Sequence, residues 1–172
     1  LLKSIILNIT LYKTLNTFKS KVRENHSWDF QNIQSTKWLS VYQAITLASI
    51  VEKEEKSNTN RPIVAWIFIN RLDSNMLIWA DITLCYGLKQ PYETCTPKLI
   101  AQKVGDKSNI YNTRQNPGLT PQPIANPSAD SVSAVLNYAH TDYYFYLHDN
   151  NWTIHYWRTN EEHVANKNMY LK

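Results

Sequence analysis

A proline-rich segment at residues 109–127 restricts the fold of this chain more than any other feature. It holds the prolines at positions 117, 121, 123 and 127, together with Gly118. Proline lacks a backbone N–H and has a fixed φ angle, so neither a helix nor a central strand can continue through the segment. The sequence therefore predicts a long, stiff, extended loop, and loops of this length usually have a function.

Helical patterns dominate the part of the chain before this loop. Apolar residues at helical spacing predict an amphipathic N-terminal helix, followed by a polar linker, within residues 1–38. A second helix is predicted over residues 39–56, and Pro62 is well placed in the first turn of a third. The β-branched and aromatic run at residues 63–69 leaves a buried strand as an alternative, and residues 73–96 predict a short strand or two.

Strand patterns dominate the part after the loop. A short helix capped by Asn126 is predicted first. Residues 142–147 and 152–157 then predict two strands joined by a turn, and a last helix with a capping box begins near Thr159. The expected fold is α+β, with helices packed on a small, mainly antiparallel sheet, and residues 39–172 are expected to form one domain.

Composition excludes several classes of protein. The chain has three glycines and lacks the glycine-rich phosphate-binding motifs. Its net charge of +4 is compatible with the cell wall, a membrane surface or nucleic acid as an anionic partner, and is too small and scattered to choose among them. No nucleic acid is predicted as a partner, because the aromatic residues form no RNA-recognition pattern. The histidines His148, His155 and His163 match no zinc-binding spacing, and neither a metal nor a cofactor is predicted. Cys85 and Cys95 can form a disulfide in an oxidising compartment or remain two buried thiols, and the sequence does not decide between them.

One acidic residue lies on the apolar face of the second helix. Leu47, Ile50, Val51 and Glu54 occupy positions i, i+3, i+4 and i+7 and therefore share one stripe. Glu54 either belongs to a solvated charge run at the helix end or is a partly buried carboxyl group whose pKa is raised by desolvation. A carboxyl group of the second kind can protonate the leaving oxygen of a glycosidic bond, which leaves poorly without that proton.

The same helix begins a series of motifs that resembles a known family. In chain order they are Leu47–Glu54 (LASIVEKE), Val64–Leu72, the set Met76, Asp81, Thr83 and Tyr86, then Tyr111–Thr113, Gly118–Pro127, Tyr144–Leu147, and Thr159 with Glu162–His163. Over residues 39–165 the motifs resemble, in one unbroken order, those of the YceG-like endolytic murein transglycosylases. One motif alone is a weak signal, whereas the whole series in register favours the functional interpretation of Glu54.

The resemblance implies a reaction and a location. It makes Glu54 the catalytic acid and base of an enzyme that cleaves MurNAc–GlcNAc bonds within peptidoglycan strands and leaves 1,6-anhydro-MurNAc ends, without a cofactor. It also implies the outer face of the cytoplasmic membrane, in the cell envelope, and a link to wall-synthesis proteins. The anchor and LysM-like module that usually precede the domain are missing, so we interpret the chain as a piece of a longer protein, attached to the membrane only through such an anchor.

The resemblance also places further residues at the site. The substrate-binding residues that it implies are Asn70, Arg71, Asp81, Tyr111, Asn112 and Thr113. Arg71 either binds a carboxylate of the substrate or pairs with a nearby acid, and Asn112 and Thr113 either bind sugars or Glu54, or serve a turn. Asp81 is expected to hold Asn70, Arg71 or a turn, whereas as a second catalytic carboxylate it would make the chain a glycoside hydrolase.

Several positions depart from the family pattern. Trp79 stands in place of a substrate-side Gln, Glu55 in place of a Thr, and Arg114 in place of the last Tyr of a YNTY motif. Ile82 and Gln122 also differ. These departures leave open a third possibility beside the transglycosylase and the hydrolase, namely a non-catalytic glycan-binding domain.

Overall fold

The structure is a computed structural model, and it describes residues 39–171. Its elements are α1 (Val41–Glu54), α2 (Arg61–Asp73), α3 (Asp81–Gly87), a short 3-10 helix (Tyr92–Thr94), α4 (Pro97–Lys103), α5 (Ala129–Leu136), β1 (Phe145–His148), β2 (Ile154–Trp157) and α6 (Asn160–Tyr170). Helices together with an antiparallel strand pair confirm the predicted α+β class. The residues from Tyr42 onward form one compact unit. The predicted helix and linker of residues 1–38 lie outside the described residues.

The core is built mainly on α1 and α2. Fully buried residues of these two helices include Leu47, Ile50, Val51, Val64, Ile67 and Phe68. Helix α2 has Pro62 in its first turn, so the helical alternative for residues 63–69 is correct and the strand alternative is wrong. A helix with buried residues on most of its faces shows no clear amphipathic period, which explains why its sequence pattern was ambiguous.

The segment after α2 differs from its prediction. Residues 73–96 contain no strand; instead α3 and the 3-10 helix follow each other, and a disulfide between Cys85 and Cys95 joins them. Asp81 in the first turn of α3 stabilises the helix through its favourable interaction with the helix dipole. A helix of seven residues is only marginally stable in isolation. The disulfide stabilises this region by holding the chain that follows α3 close to the helix.

The proline-rich segment is a loop as predicted, but it is not extended throughout, because residues 110–111 and 113–115 form turns. Residues 109–127 form neither helix nor strand. Helix α5 begins two residues later than predicted, because Ser128, and not Asn126, accepts the capping hydrogen bond from the N–H of Ser131. Helix α6 begins with the predicted capping box between Thr159 and Glu162.

The two strands form a hairpin that reaches back to the end of α1. They pair antiparallel, with Phe145 opposite Trp157 and His148 opposite Ile154, and are shorter than predicted. Side chains alternate between the two faces of a strand, so Tyr146 and His148 share one face. On that face, Tyr146 contacts Glu54, the last residue of α1, and His148 contacts Glu55, the residue that follows α1.

Candidate active site

Glu54 is the last residue of α1 and meets two other elements there. The hydroxyl of Tyr146 on β1 donates a hydrogen bond of 2.8 Å to Oε2 of Glu54. The backbone N–H of Ile82, in the first turn of α3, acts to lower the pKa of this carboxyl group. Glu54 is only partly exposed, and it lines an open cavity. Residues distant in sequence therefore hold one carboxyl group at the edge of solvent.

The surroundings of Glu54 shift its protonation toward neutral pH. Burial raises the pKa of Glu54 to about 6, against the lowering effect of the Tyr146 hydroxyl, and the charge of Asp81 adds to the rise. Burial and the neighbouring carboxylate raise the pKa of Tyr146 well above its usual value, so this phenol stays a donor. A carboxyl group with a pKa near 6 can give up a proton and take one back under the same conditions.

Glu52, the first glutamate of the segment Glu52-Lys53-Glu54, has a structural role. The carboxylate of Glu52 accepts hydrogen bonds from the N–H and hydroxyl of Ser128 and from the hydroxyl of Ser131. Arg61 contacts Glu52 at 3.3 Å and donates through Nε to the carbonyl of Glu55. Glu52 thus joins the end of α1 to the start of α5, and this contact positions Glu54 without taking part in the site.

Asp81 contacts a partner that sequence reasoning did not predict. Both of its carboxylate oxygens accept from the guanidinium of Arg114, with Nη2 of Arg114 at 3.0 Å from Oδ2. The expectation that Asp81 holds Asn70 or Arg71 is therefore wrong. The guanidinium of Arg114 also lies 5.6 Å from the ring centroid of Trp79, which is 39% exposed.

Asn70 and Arg71 on α2 bind backbone carbonyls of the protein. The amide of Asn70 donates to the carbonyls of Thr141 and Tyr143. Arg71 is buried and donates to the carbonyls of Tyr144, Leu77 and Ile78. Within residues 39–171 Arg71 makes no ion pair with an acid, so the ion-pair alternative is not what the structure shows. These two side chains tie α2 to the start of the hairpin and to the segment before α3.

Asn112 and Thr113 are buried, and their side chains bind backbone groups of neighbouring segments. Asn112 is fully buried and donates to the carbonyls of Val104 and Asp106. The hydroxyl of Thr113 accepts from the N–H of Ala80 and lies 2.9 Å from the hydroxyl of Thr83. The carbonyl of Thr113 accepts from the N–H of Trp79. Thr113 thereby fixes the backbone that presents Trp79 and Asp81.

Tyr111 lies at the start of this group and is partly exposed. Its ring packs edge-on against that of Tyr86, with centroids 5.0 Å apart.

Among the predicted site residues, the structure brings Glu54 and Asp81 close enough to interact electrostatically. The other predicted site residues bind backbone groups of the protein through their side chains: Asn70, Arg71, Asn112 and Thr113.

The cavity beside Glu54 has a volume of about 270 Å³. Its lining consists of Lys53, Glu54, Glu55, Lys56, Ser57, Asn60, Tyr92, His148 and Trp152. Glu55 is buried, pairs with Nε2 of His148 at 3.1 Å and accepts from the N–H of Ser57. Burial acts to raise the pKa of Glu55, but the hydrogen bonds from His148 and Ser57 outweigh it and lower the pKa. Glu55, which by the resemblance stands in place of a Thr, thus has His148 of β1 as its partner.

Sequence reasoning did not select Tyr146, His148 or Arg114 for the site. A signal for the first two was present, because two polar side chains at alternate positions of a strand share one face. Arg114 was noticed only as a departure from the YNTY motif, and nothing local in the sequence points to its partner Asp81, 33 positions away.

The three histidines considered as metal ligands lie in separate places. His148 pairs with Glu55, His155 with Asp149 at 3.0 Å, and the ring of His163 stacks on Phe145. Among the described residues, no group of three or more His, Cys, Asp or Glu side chains is arranged to hold a metal ion.

A carboxyl group with a raised pKa, held at a helix end beside an open cavity, makes this a domain suited to general acid–base chemistry. Comparison with known proteins identifies its family. The profile of the YceG-like family matches residues 7–169, and the chain belongs to this family. The match begins well before residue 39, so it includes most of the segment predicted to be an N-terminal helix and linker.

Named relatives agree with this membership. The endolytic murein transglycosylase of Bacillus subtilis (strain 168) is 29% identical over 171 residues, which is 99% of this chain and 42% of that protein. The protein of the same name from Streptococcus pneumoniae (strain R6) is 28% identical over 95% of this chain and 30% of its own length. The crystal structure of a YceG-like protein from Listeria monocytogenes superposes with a TM-score of 0.66 and 28% identity, over 95% of this chain and 46% of that one. The chain spans less than half the length of each of these relatives.

Proposed function

We propose that this chain is the catalytic part of an endolytic lytic transglycosylase that cleaves MurNAc–GlcNAc bonds within peptidoglycan strands. The observation that carries the proposal is the carboxyl group of Glu54, partly exposed at the cavity, hydrogen-bonded to Tyr146 and raised in pKa to about 6. The names of the relatives from Bacillus subtilis and Streptococcus pneumoniae support the substrate class.

In the proposed reaction Glu54 acts first as an acid and then as a base. Its proton passes to the glycosidic oxygen as the bond from C1 of MurNAc to that oxygen breaks. The C6 hydroxyl of the same MurNAc bonds to C1 and gives its proton to Glu54. The products are a 1,6-anhydro-MurNAc end and a free GlcNAc hydroxyl. No water is consumed, and the carboxyl group regains the proton that it lost.

The pairing of Asp81 supports this reaction over hydrolysis. A hydrolase of this type needs a second carboxylate that activates water or attacks the sugar. Both oxygens of Asp81 already accept from Arg114, and a bidentate guanidinium contact makes a carboxylate a weaker base and nucleophile. Asp81 is better placed to raise the pKa of Glu54 through its charge.

The residues around Glu54 have proposed roles as well. We propose that Tyr111 and Asp81, both partly exposed, meet the substrate. Asn70, Arg71, Asn112 and Thr113 are proposed positioning residues, because their polar groups are occupied inside the protein. Trp79 is partly exposed and is a proposed platform for a sugar face.

The proposed location is the cell envelope, at the outer face of the cytoplasmic membrane. The disulfide between Cys85 and Cys95 supports an oxidising compartment. Within residues 39–171 no helix is long and apolar enough to cross a membrane. Attachment through an anchor in a longer protein, and contact with wall-synthesis proteins, are parts of the same proposal.

Mass spectrometry of purified glycan strands incubated with the chain tests the proposal. We expect fragments with 1,6-anhydro-MurNAc ends, and their loss in Glu54→Gln. Fragments heavier by one water would instead establish hydrolysis and bring Asp81 into the mechanism. Binding of strands without any fragment, unchanged in Glu54→Gln, would favour the non-catalytic glycan-binding domain.

A further inference from the structure

The cavity beside Glu54 carries cationic and aromatic groups that the acid–base reaction does not use. Lys53 and Lys56 both line it, as do Tyr92 and Trp152. A volume of about 270 Å³ is small for a whole ligand site and suits one part of a longer ligand. The question is which part of a peptidoglycan strand has the matching chemistry.

Each lysine is held at an aromatic ring. Nζ of Lys53 lies 5.5 Å from the centroid of Tyr92, and Nζ of Lys56 lies 4.6 Å from that of Trp152. Among residues 39–171 neither ammonium group makes an ion pair with a carboxylate. The adjacent acid Glu55 is paired with His148 instead. Two cations therefore face the cavity without an anionic partner from the described part of the chain.

The rings are exposed where burial would be expected. Tyr92 is 43% exposed and Trp152 is 67% exposed. Trp152 also has a φ angle of 60°, a left-handed backbone conformation that is uncommon for a bulky residue. Strained positions of this kind cluster at ligand sites, where the strain presents a side chain to a partner. The hairpin turn thus presents an indole ring to the cavity at a cost in backbone energy.

The substrate supplies one matching group. Within the strand the sugars GlcNAc and MurNAc carry no charge when the lactyl group of MurNAc is joined to a peptide. The negative charges then lie on the carboxylates of that stem peptide. The scissile bond belongs to the same MurNAc, so the peptide is attached to the sugar ring whose C1–O bond is placed at Glu54.

We propose that this cavity is a subsite for the stem peptide, in which Lys53 and Lys56 bind peptide carboxylates and Tyr92 and Trp152 pack against the peptide or the sugar that bears it. The inference rests on the proposed function for the identity of the strand. It assigns the cavity a preference for strands whose peptide carboxylates are free. The cation–aromatic contacts hold the ammonium groups in place, which reduces the entropy lost when an anion binds.

A binding experiment with inactive chain tests the subsite independently of catalysis. Glu54→Gln is combined with Lys53→Gln and Lys56→Gln, and the affinity for three soluble strand preparations is measured. One preparation has free peptide carboxylates, the second has those carboxylates converted to amides, and the third has had its peptides removed. Lys98→Gln with Lys103→Gln is the matched control, because it removes the same charge at exposed positions of α4.

We expect the Glu54→Gln chain to bind free-carboxylate strands roughly five- to tenfold more tightly than amidated strands, the range for two partly shielded ion pairs. The lysine variant is expected to lose this preference and the control to keep it. The preference should shrink between about 0.05 and 0.5 M salt, because screening acts over a shorter length at high salt.

Three results would overturn the subsite. These are equal affinity for free and amidated strands, a preference that survives loss of both lysines, and peptide-free strands that bind as tightly as peptide-bearing ones. The last result would assign the cations to the lactyl carboxylate that peptide removal exposes. A preference seen with a wild-type chain that yields no fragments would keep the subsite and refute the reaction, so the two failures are distinguishable.

Discussion

The raised pKa of Glu54 predicts a stability effect of Glu54→Gln that depends on pH. In the native chain the carboxyl group keeps its proton up to about pH 6, whereas an ordinary glutamate loses it near 4.5. The native state therefore binds this proton more tightly than the unfolded state does. Its contribution to stability is complete below pH 4.5 and is lost as the pH rises through about 6.

The size of the effect follows from the shift. The difference between 4.5 and about 6 corresponds to about 2 kcal/mol, at 1.36 kcal/mol for each pKa unit. Glutamine is neutral at every pH and avoids this cost. The hydrogen bonds that favour the ionised form of Glu54 are already included in the net rise of its pKa. The change in the mutant-minus-wild-type difference between low and high pH therefore isolates the charge of Glu54.

Urea unfolding at about pH 4.5 and about pH 8, followed by tryptophan fluorescence, measures this change. The free energy of unfolding of Glu54→Gln, relative to wild type, should rise by about 2 kcal/mol from the lower to the higher pH. Absolute stability is less informative, because Glu52 and Glu55 have lowered pKa values and act in the opposite direction. Glu161→Gln, an exposed position on α6, controls for the loss of one carboxylate. A difference that stays constant with pH would refute the electrostatic account of Glu54.

Three further substitutions examine the contacts around the site. Tyr146→Phe removes the hydroxyl that donates to Glu54, so the pKa of Glu54 should rise and the pH–rate profile should move to higher pH. The free energy of unfolding should fall by about 1 kcal/mol. An unshifted pH–rate profile would count against the role of this donor. Replacing Cys85 and Cys95 by Ser opens a short loop, and thermal unfolding should show a loss of roughly 2–3 kcal/mol that reductant reproduces in the wild type. Glu52→Gln weakens the junction of α1 with α5, and a loss of about 1–3 kcal/mol in chemical denaturation is expected, with the pH–rate profile unchanged in shape.

Local features of the sequence predicted the features of the fold that arise locally. The stripe that includes Glu54 depends on residues within two helical turns, and the capping box of α6 depends on residues three positions apart. The proline-rich loop depends on the chemistry of one residue type. Each of these could be recognised without knowledge of the rest of the chain. The described structure agrees with the stripe and the capping box, and the loop contains neither helix nor strand, although its first part forms turns and is not extended.

Contacts between distant residues could not be predicted in this way. Tyr146 is 92 positions from Glu54, and Arg114 is 33 positions from Asp81. Helix α3 was missed because seven residues are too few for a clear period, and because the contacts around it, including the disulfide, override weak local preference. The motif series predicts where the candidate site lies. The hydrogen bonds of Asn112 and Thr113 to other parts of the chain show that a motif residue can have a structural role.

Two of the departures from the family pattern that the sequence suggests contact each other in the structure. By the resemblance, Trp79 stands where the family has a Gln and Arg114 where it has a Tyr. The guanidinium of Arg114 lies 5.6 Å from the ring centroid of Trp79. Two changes that contact each other are expected to interact energetically, whereas unrelated losses in a decaying site would be additive. A double-mutant cycle with Trp79→Gln and Arg114→Tyr should therefore show a coupling free energy of about 0.5–1 kcal/mol at this partly exposed site. Additivity of the two substitutions would remove this reason for regarding the altered site as a working one.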